Sequence, residues 1–197
     1  HFAGVPCRLL RASFTGEVSF ELSVPAGYGR AAWDRLLAAG REHGLLPFGL
    51  EALMVLRTEK GYLHVGTDTD GTTMPQDLGW GRAIERQDAD FIGRRSLDLA
   101  VGRDPGRRQF TGLEPLDPAA RLVDGAHVLT TDGSASAGYV TSACYSPTLG
   151  RTVALGLVAD ARARRGEVVK AWYAGETVPL RLVAPAFYDP QGARLDD

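Results

Sequence analysis

The chain is 197 residues long, 44% hydrophobic and 23% charged, with a formal net charge of −2. That length holds one domain with a sizeable core or two small ones, and a charge so near neutral offers no electrostatic footing for nucleic acid or an anionic membrane. Two cysteines outside any C-x-x-C pair (Cys7 and Cys144), no secretory leader pattern and no apolar run long enough for a bilayer together read as a cytoplasmic protein.

The opening HFAGVPCRLLRASF enters a strand within a few residues and has no initiator Met, which reads as part of something longer. RASFTGEVSFELSVP (11–25) then alternates: Val18, Phe20, Leu22 and Val24 fall on one face, Glu17, Ser19, Glu21 and Ser23 on the other. Glu21 is either a solvated glutamate or a carboxylate aimed into a pocket, and alternation alone leaves both open. YGRAAWDRLLAAG (28–40) predicts a helix with Ala32, Trp33, Leu36 and Leu37 on one face and Gly40 as its C′ residue. LEALMVLRTEKG (50–61) predicts a second helix, with Leu53, Met54 and Leu56 toward a core and Gly61 ending it.

YLHVGTDTDGTTMPQDLGW (62–80) is a polar Thr/Asp/Gly stretch of a length that is often functional. His64 alternates with Tyr62 and Gly66 on an expected strand, and is read as either a hydrogen-bonded, partly buried histidine or a substrate contact. DTDG (68–71) lacks the later ligands of a calcium loop and reads as an Asx-type turn. Trp80, between Gly79 and Gly81, is a core residue by composition, yet its glycine neighbours would let a flat ring approach the backbone. DFIGRRSL (90–97) reads as a turn entering a short helix.

Composition shifts at VGRDPGRRQF (101–110). Beyond it, six short strands with turn punctuation are expected, around Gln109–Glu114, His127–Thr130, Ala137–Ser142, Val153–Val158, Glu167–Tyr173 and Thr177–Val183. TSACYSPTLG (141–150) reads as a loop between two of them. The basic stretch RARRGEVVK (162–170) has no interleaved aromatics and reads as a solvated turn. The expected fold is α+β: a mixed helix and antiparallel-sheet domain over 1–102, then a small six-stranded antiparallel β-barrel domain over 103–197.

No G-x-G-x-x-G, P-loop or G-x-S-x-G is present, and His1, His43, His64 and His127 lack metal-ligand spacing, so no metal site is expected.

The segments SFTGEVSFELSVP, GLEALMVLRTEKGYLHVGTDTDGTTMPQDLGWG, DFIGRRSL, GYVTSACYSPTLGRTVALGLV and PAFYDPQGARL nevertheless form a set. In order and spacing the set resembles the second half of the folate-dependent aminomethyltransferases, the glycine cleavage T-protein family. LRTEKG, TDTDGTTMPQDLG and FYDPQGARL look closest to that family's sarcosine oxidase alpha-subunit branch.

The resemblance covers nearly the whole chain and implies bound tetrahydrofolate, with Glu21 as the strand glutamate that contacts the pterin. Phe14 stands where the T-protein usually has Tyr, and Trp80 falls where the family has a Trp near the ligand. Leu53 stands where the T-protein carries an Arg tied to the folate and lipoyl-arm site, which favours a member receiving its one-carbon unit without a lipoyl carrier. The family's catalytic aspartate lies upstream of residue 1, so no catalytic residue is expected here.

By resemblance, FAD or FMN and NAD bind elsewhere in the complete enzyme. The expected partners are the N-terminal remainder of the alpha subunit, other sarcosine oxidase subunits and a small-molecule substrate. The resemblance also admits an aminomethyltransferase, a dimethylglycine-type oxidase or demethylase, and a non-catalytic folate-binding or structural module.

Overall fold

The computed structural model describes residues 1–104 and 106–196, the side chains at 100 and 103 excepted. A short antiparallel pair opens it, β1 (Arg8–Arg11) against β2 (Phe20–Ser23), followed by helices α1 (Gly29–Gly40) and α2 (Leu50–Lys60). The segment 62–80 is built of turns, and two short helices follow, α3 (Gly81–Glu85) and α4 (Arg94–Leu97). Six antiparallel strands then close a barrel in the order β3-β6-β5-β4-β7-β8, with β3 (Arg108–Pro115) also pairing β8 (Glu176–Val183). The others are β4 (His127–Leu129), β5 (Ser136–Ser146), β6 (Arg151–Ala159) and β7 (Val168–Tyr173). The α+β class and the six-stranded C-terminal barrel are as the sequence predicts.

The barrel interior is the main core, with Leu113, Val128, Val140, Ala154, Val158, Leu180 and Leu182 all at most 1% exposed. Closure removes the free edges that a small sheet would otherwise present. A second apolar cluster lies between the barrel and the rest of the chain. There Phe110, Leu155 and Leu157 pack against Leu63 and Leu78 from the turn segment and Phe187 from the C-terminal stretch.

The first hundred residues are built differently. Of the expected apolar face of α1, only Ala32 is buried, while Trp33 is 51% and Leu36 43% exposed. Phe20 on β2 is 59% exposed. The helix also runs through Gly40, whose φ of −78° is helical, and a 3-10 turn carries the chain to Gly44, the residue in left-handed conformation. No strand forms around His64. The expected loop over 141–150 is shorter than predicted, because β5 extends to Ser146.

Helix α2 is buried at its polar end. Arg57, Thr58, Glu59 and Lys60 are inaccessible, whereas Leu53, Met54 and Leu56 are only partly covered. Its stop follows a Schellman arrangement: Gly61 N–H donates to the Thr58 carbonyl at 3.1 Å and Tyr62 N–H to that of Arg57 at 3.0 Å. Gly61 holds φ at +74°, and a Cβ there would collide with the Pro185 carbonyl, so glycine is required twice over.

Candidate functional site

The junction between α2, the turn 64–68 and the barrel is organised around one buried ion pair. Arg57 Nη1 donates to Asp68 Oδ2 at 2.6 Å, with the two side chains 1% and 0% exposed. Such a pair is tolerated only when the remaining polar atoms are also satisfied. Here Arg57 donates further to the Tyr62 carbonyl and to Ser142 Oγ, and its buried Nε is left without a partner among the described residues. Asp68 accepts from Thr141 Oγ1, Ser142 Oγ and the His64 backbone N–H.

Consecutive strand residues normally face opposite ways. Thr141 and Ser142 both reach the pair because β5 shifts register between Val140 and Ser142, a bulge that leaves Thr141 unpaired against β6.

Two more anchors lie on the same helix end. The Glu59 carboxylate accepts from Ser146 Oγ at 2.6 Å and Thr148 Oγ1 at 3.1 Å. Lys60 Nζ meets Asp189, whose carboxyl is held below its usual value chiefly by that hydrogen bond. The Glu59 carbonyl, left over at the helix terminus, accepts from both Phe187 and Tyr188 N–H at 2.9 Å. Farther along the junction, Arg107 grips Asp77 through two donors and is itself held above its ordinary value by that carboxylate.

The candidate binding residues lie on β2, in the loop before it and just before α3. Glu21 lies on β2 opposite Leu10 of β1 and shares a face with Ser23 and Arg8. Its carboxylate is exposed and has no hydrogen-bond or ionic partner among the described residues. Phe14, partly buried in the loop before β2, meets the His64 ring edge-on, with centroids 6.2 Å apart and planes at 67°. Trp80, 53% exposed, borders a separate open apolar groove of about 440 Å³ with Pro75, Ala83, Ile84, Phe91, Ile92 and Leu97. No ring contact or hydrogen bond joins Trp80 to Glu21 or Phe14 among the described residues. The structure therefore brings Phe14 to His64 and leaves Trp80 with its own neighbours.

Asp70 makes the Asx-type turn expected of DTDG, accepting from Thr72 N–H and from the Thr72 and Thr73 hydroxyls. These bonds, led by the Thr72 hydroxyl, draw its pKa below the ordinary carboxylate value. The Arg57–Asp68–Thr141–Ser142 network has no counterpart in the sequence reading. Arg57, inside LRTEKG, looks solvated until Asp68 and the distant TSAC bulge are known.

The profile of the GCVT N-terminal domain matches residues 1–88, and that of the glycine cleavage T-protein C-terminal barrel domain matches residues 108–189. Sarcosine oxidase subunit alpha of Rhizobium meliloti (strain 1021) is 45% identical over 193 residues, covering 95% of this chain and 20% of its own. An aminomethyltransferase of Desulfitobacterium hafniense (strain DSM 10664 / DCB-2) is 30% identical over 189 residues, covering 96% of this chain and 51% of its own. The crystal structure of glycine cleavage system aminomethyltransferase T from Bartonella henselae superposes with a TM-score of 0.78 at 28% identity, over 92% of this chain and 50% of that one. The chain thus spans about a fifth of the first relative and about half of the others.

Proposed function

Because the chain belongs to the glycine cleavage T-protein family, we propose that it supplies one wall of a tetrahydrofolate site in a sarcosine oxidase of the alpha-subunit type. The observation that carries this reading is Glu21, an exposed carboxylate with no partner among the described residues, on a strand within the part matched by the N-terminal profile. A pterin edge offers an N3–H and a 2-amino N–H side by side, and a carboxylate accepts such a pair in bidentate fashion. Phe14 presents a ring for the ligand face, while Trp80 lines the separate groove and joins the site only by the family resemblance. The residues present fit the group.

When bound, tetrahydrofolate supplies the amine that captures a carbon at the formaldehyde oxidation level. The balanced reaction takes sarcosine, dioxygen and tetrahydrofolate to glycine, 5,10-methylenetetrahydrofolate and hydrogen peroxide. Residues 1–102 bind and orient the acceptor, replacing a diffusive encounter by a positioned one. The barrel, residues 103–197, braces that wall through α2. Catalytic aspartate, flavins and NAD belong to other parts of the complete enzyme, and those parts with the other subunits are its partners. Identities of 38–45% to sarcosine oxidase alpha subunits against 30–37% to aminomethyltransferases support this branch, as does Leu53, which has no charge with which to orient a lipoyl arm.

Isothermal titration of the complete protein with tetrahydrofolate tests the reading. Glu21→Ala is expected to weaken binding by at least about tenfold, as for hydrogen bonds to a charged acceptor. Undiminished affinity removes Glu21 from the pocket. Absence of binding by the wild type would leave a structural module in place of a folate site.

A further inference from the structure

We infer that His64 is a second ligand-contacting residue of this site, donating a hydrogen bond through Nε2 to the ring system that rests on Phe14. The inference rests on the tetrahydrofolate reading and extends it to a residue that the reading does not use. His64 is exposed, yet it is tethered at every polar atom but one. Its backbone N–H donates to Asp68 Oδ2 at 2.8 Å. Its carbonyl accepts from Thr67 N–H at 3.1 Å and Asp68 N–H at 2.9 Å. Its Nδ1 is 2.8 Å from Thr67 Oγ1. Nε2 alone has no partner among the described residues.

An exposed histidine with only water to meet gains little from such fixing, because holding a side chain still costs rotamer entropy. A binding group gains directly, since a preorganised donor loses less on association. The tether is also firmly grounded. Asp68, which holds the His64 N–H, is locked by Arg57, Thr141 and Ser142 in the buried network.

The bond at one ring nitrogen sets what the other does. The 2.8 Å contact lets the Thr67 hydroxyl donate to Nδ1; in that tautomer, which this role requires, the proton sits on Nε2 and the ring presents an N–H. That donor complements Glu21, which only accepts. A pterin carries both kinds of group, donors at N3 and the 2-amino nitrogen and acceptors at the 4-oxo oxygen and N1. A carboxylate and an imidazole N–H together would read its two halves. The edge-on contact with Phe14 places the imidazole beside the ring against which the ligand packs.

Glutamine and asparagine separate this role from a structural one. A glutamine amide nitrogen reaches the position of Nε2, whereas an asparagine amide reaches only that of Nδ1 and keeps the Thr67 bond. The complete protein is titrated with tetrahydrofolate as wild type, His64→Gln, His64→Asn and His64→Leu, with thermal midpoints measured alongside. His64→Leu and His64→Asn are expected to bind about tenfold more weakly and His64→Gln within about threefold of wild type, the scale of one lost ligand hydrogen bond. Thermal midpoints are expected to stay unchanged. If Gln is as weak as Asn, or all three match the wild type while Glu21→Ala weakens binding, the role of His64 is overturned and the folate reading stands. If the wild type does not bind tetrahydrofolate, both fall together.

Discussion

Cys144 on β5 shows how far a residue's surroundings reset its chemistry. Burial, reinforced by the nearby Glu59 charge, pushes its thiol up to about 11. The thiolate is the nucleophile, so at pH 8 only about one molecule in a thousand is reactive. Haloacetamide labelling followed by mass spectrometry is expected to leave Cys144 unmodified in the folded protein and to modify it in denaturant. Rapid labelling without denaturant would mean that β5 opens. The Arg57–Asp68 pair gives the complementary case. Replacing Asp68 by Asn leaves a buried guanidinium without its countercharge, expected to cost about 3–5 kcal/mol in denaturant unfolding. Neither residue could be placed from local pattern. The partners of Arg57 lie 11 and 85 positions along the chain, and helical spacing treats a run such as RTEK as a solvated face. Glu21 was legible as one of two outward glutamates, because strand alternation is a purely local property.

Elements were easier to read than their surroundings. All six barrel strands fall where turn residues bracket them, since each is joined to the sheet by pairings that turn chemistry already fixes. The β7–β8 hairpin turns through Ala174 and Gly175, both at positive φ (50° and 92°), the geometry of a type I′ turn. Ala pays a steric cost there that Asn relieves, so Ala174→Asn is expected to stabilise the protein by up to ~1 kcal/mol, seen as a higher thermal midpoint. Gly61→Ala is expected to do the reverse by more than ~1 kcal/mol, from positive φ and the clash with Pro185 together. Helices α1 and α2 were legible in extent but not in burial, and α3 was not foreseen. The apolar stripe of α1 is largely open, while α2 is seated by charges. Amphipathic spacing identifies a face without saying what covers it.

At the scale of the molecule, stability is unevenly distributed. The barrel holds nearly the whole buried apolar core, and residues 1–104 expose Leu9, Phe20, Trp33, Leu46, Phe48, Leu50 and Ile92. Local opening is cheapest where few apolar contacts are lost. Amide hydrogen exchange on the chain is expected to be slowest in β3, β5 and β6 and much faster in β1 and β2. Equal protection in the two regions would contradict this division. Arg57, Glu59 and Lys60 tie the two together, so α2 should exchange at a rate closer to the barrel's than to that of α1.

The clasp at the end of α2 has a consequence for how the protein is made. Lys60 meets Asp189 across 129 positions of sequence, and the Glu59 carbonyl waits for the amides of Phe187 and Tyr188. At ordinary ribosomal speeds the helix leaves the exit tunnel on the order of ten seconds before its closing residues are synthesised. For that interval the Lys60 ammonium and the Glu59 carbonyl, both destined for burial, stay wet. The nascent chain therefore has its barrel strands to assemble before the end of α2 is locked in place.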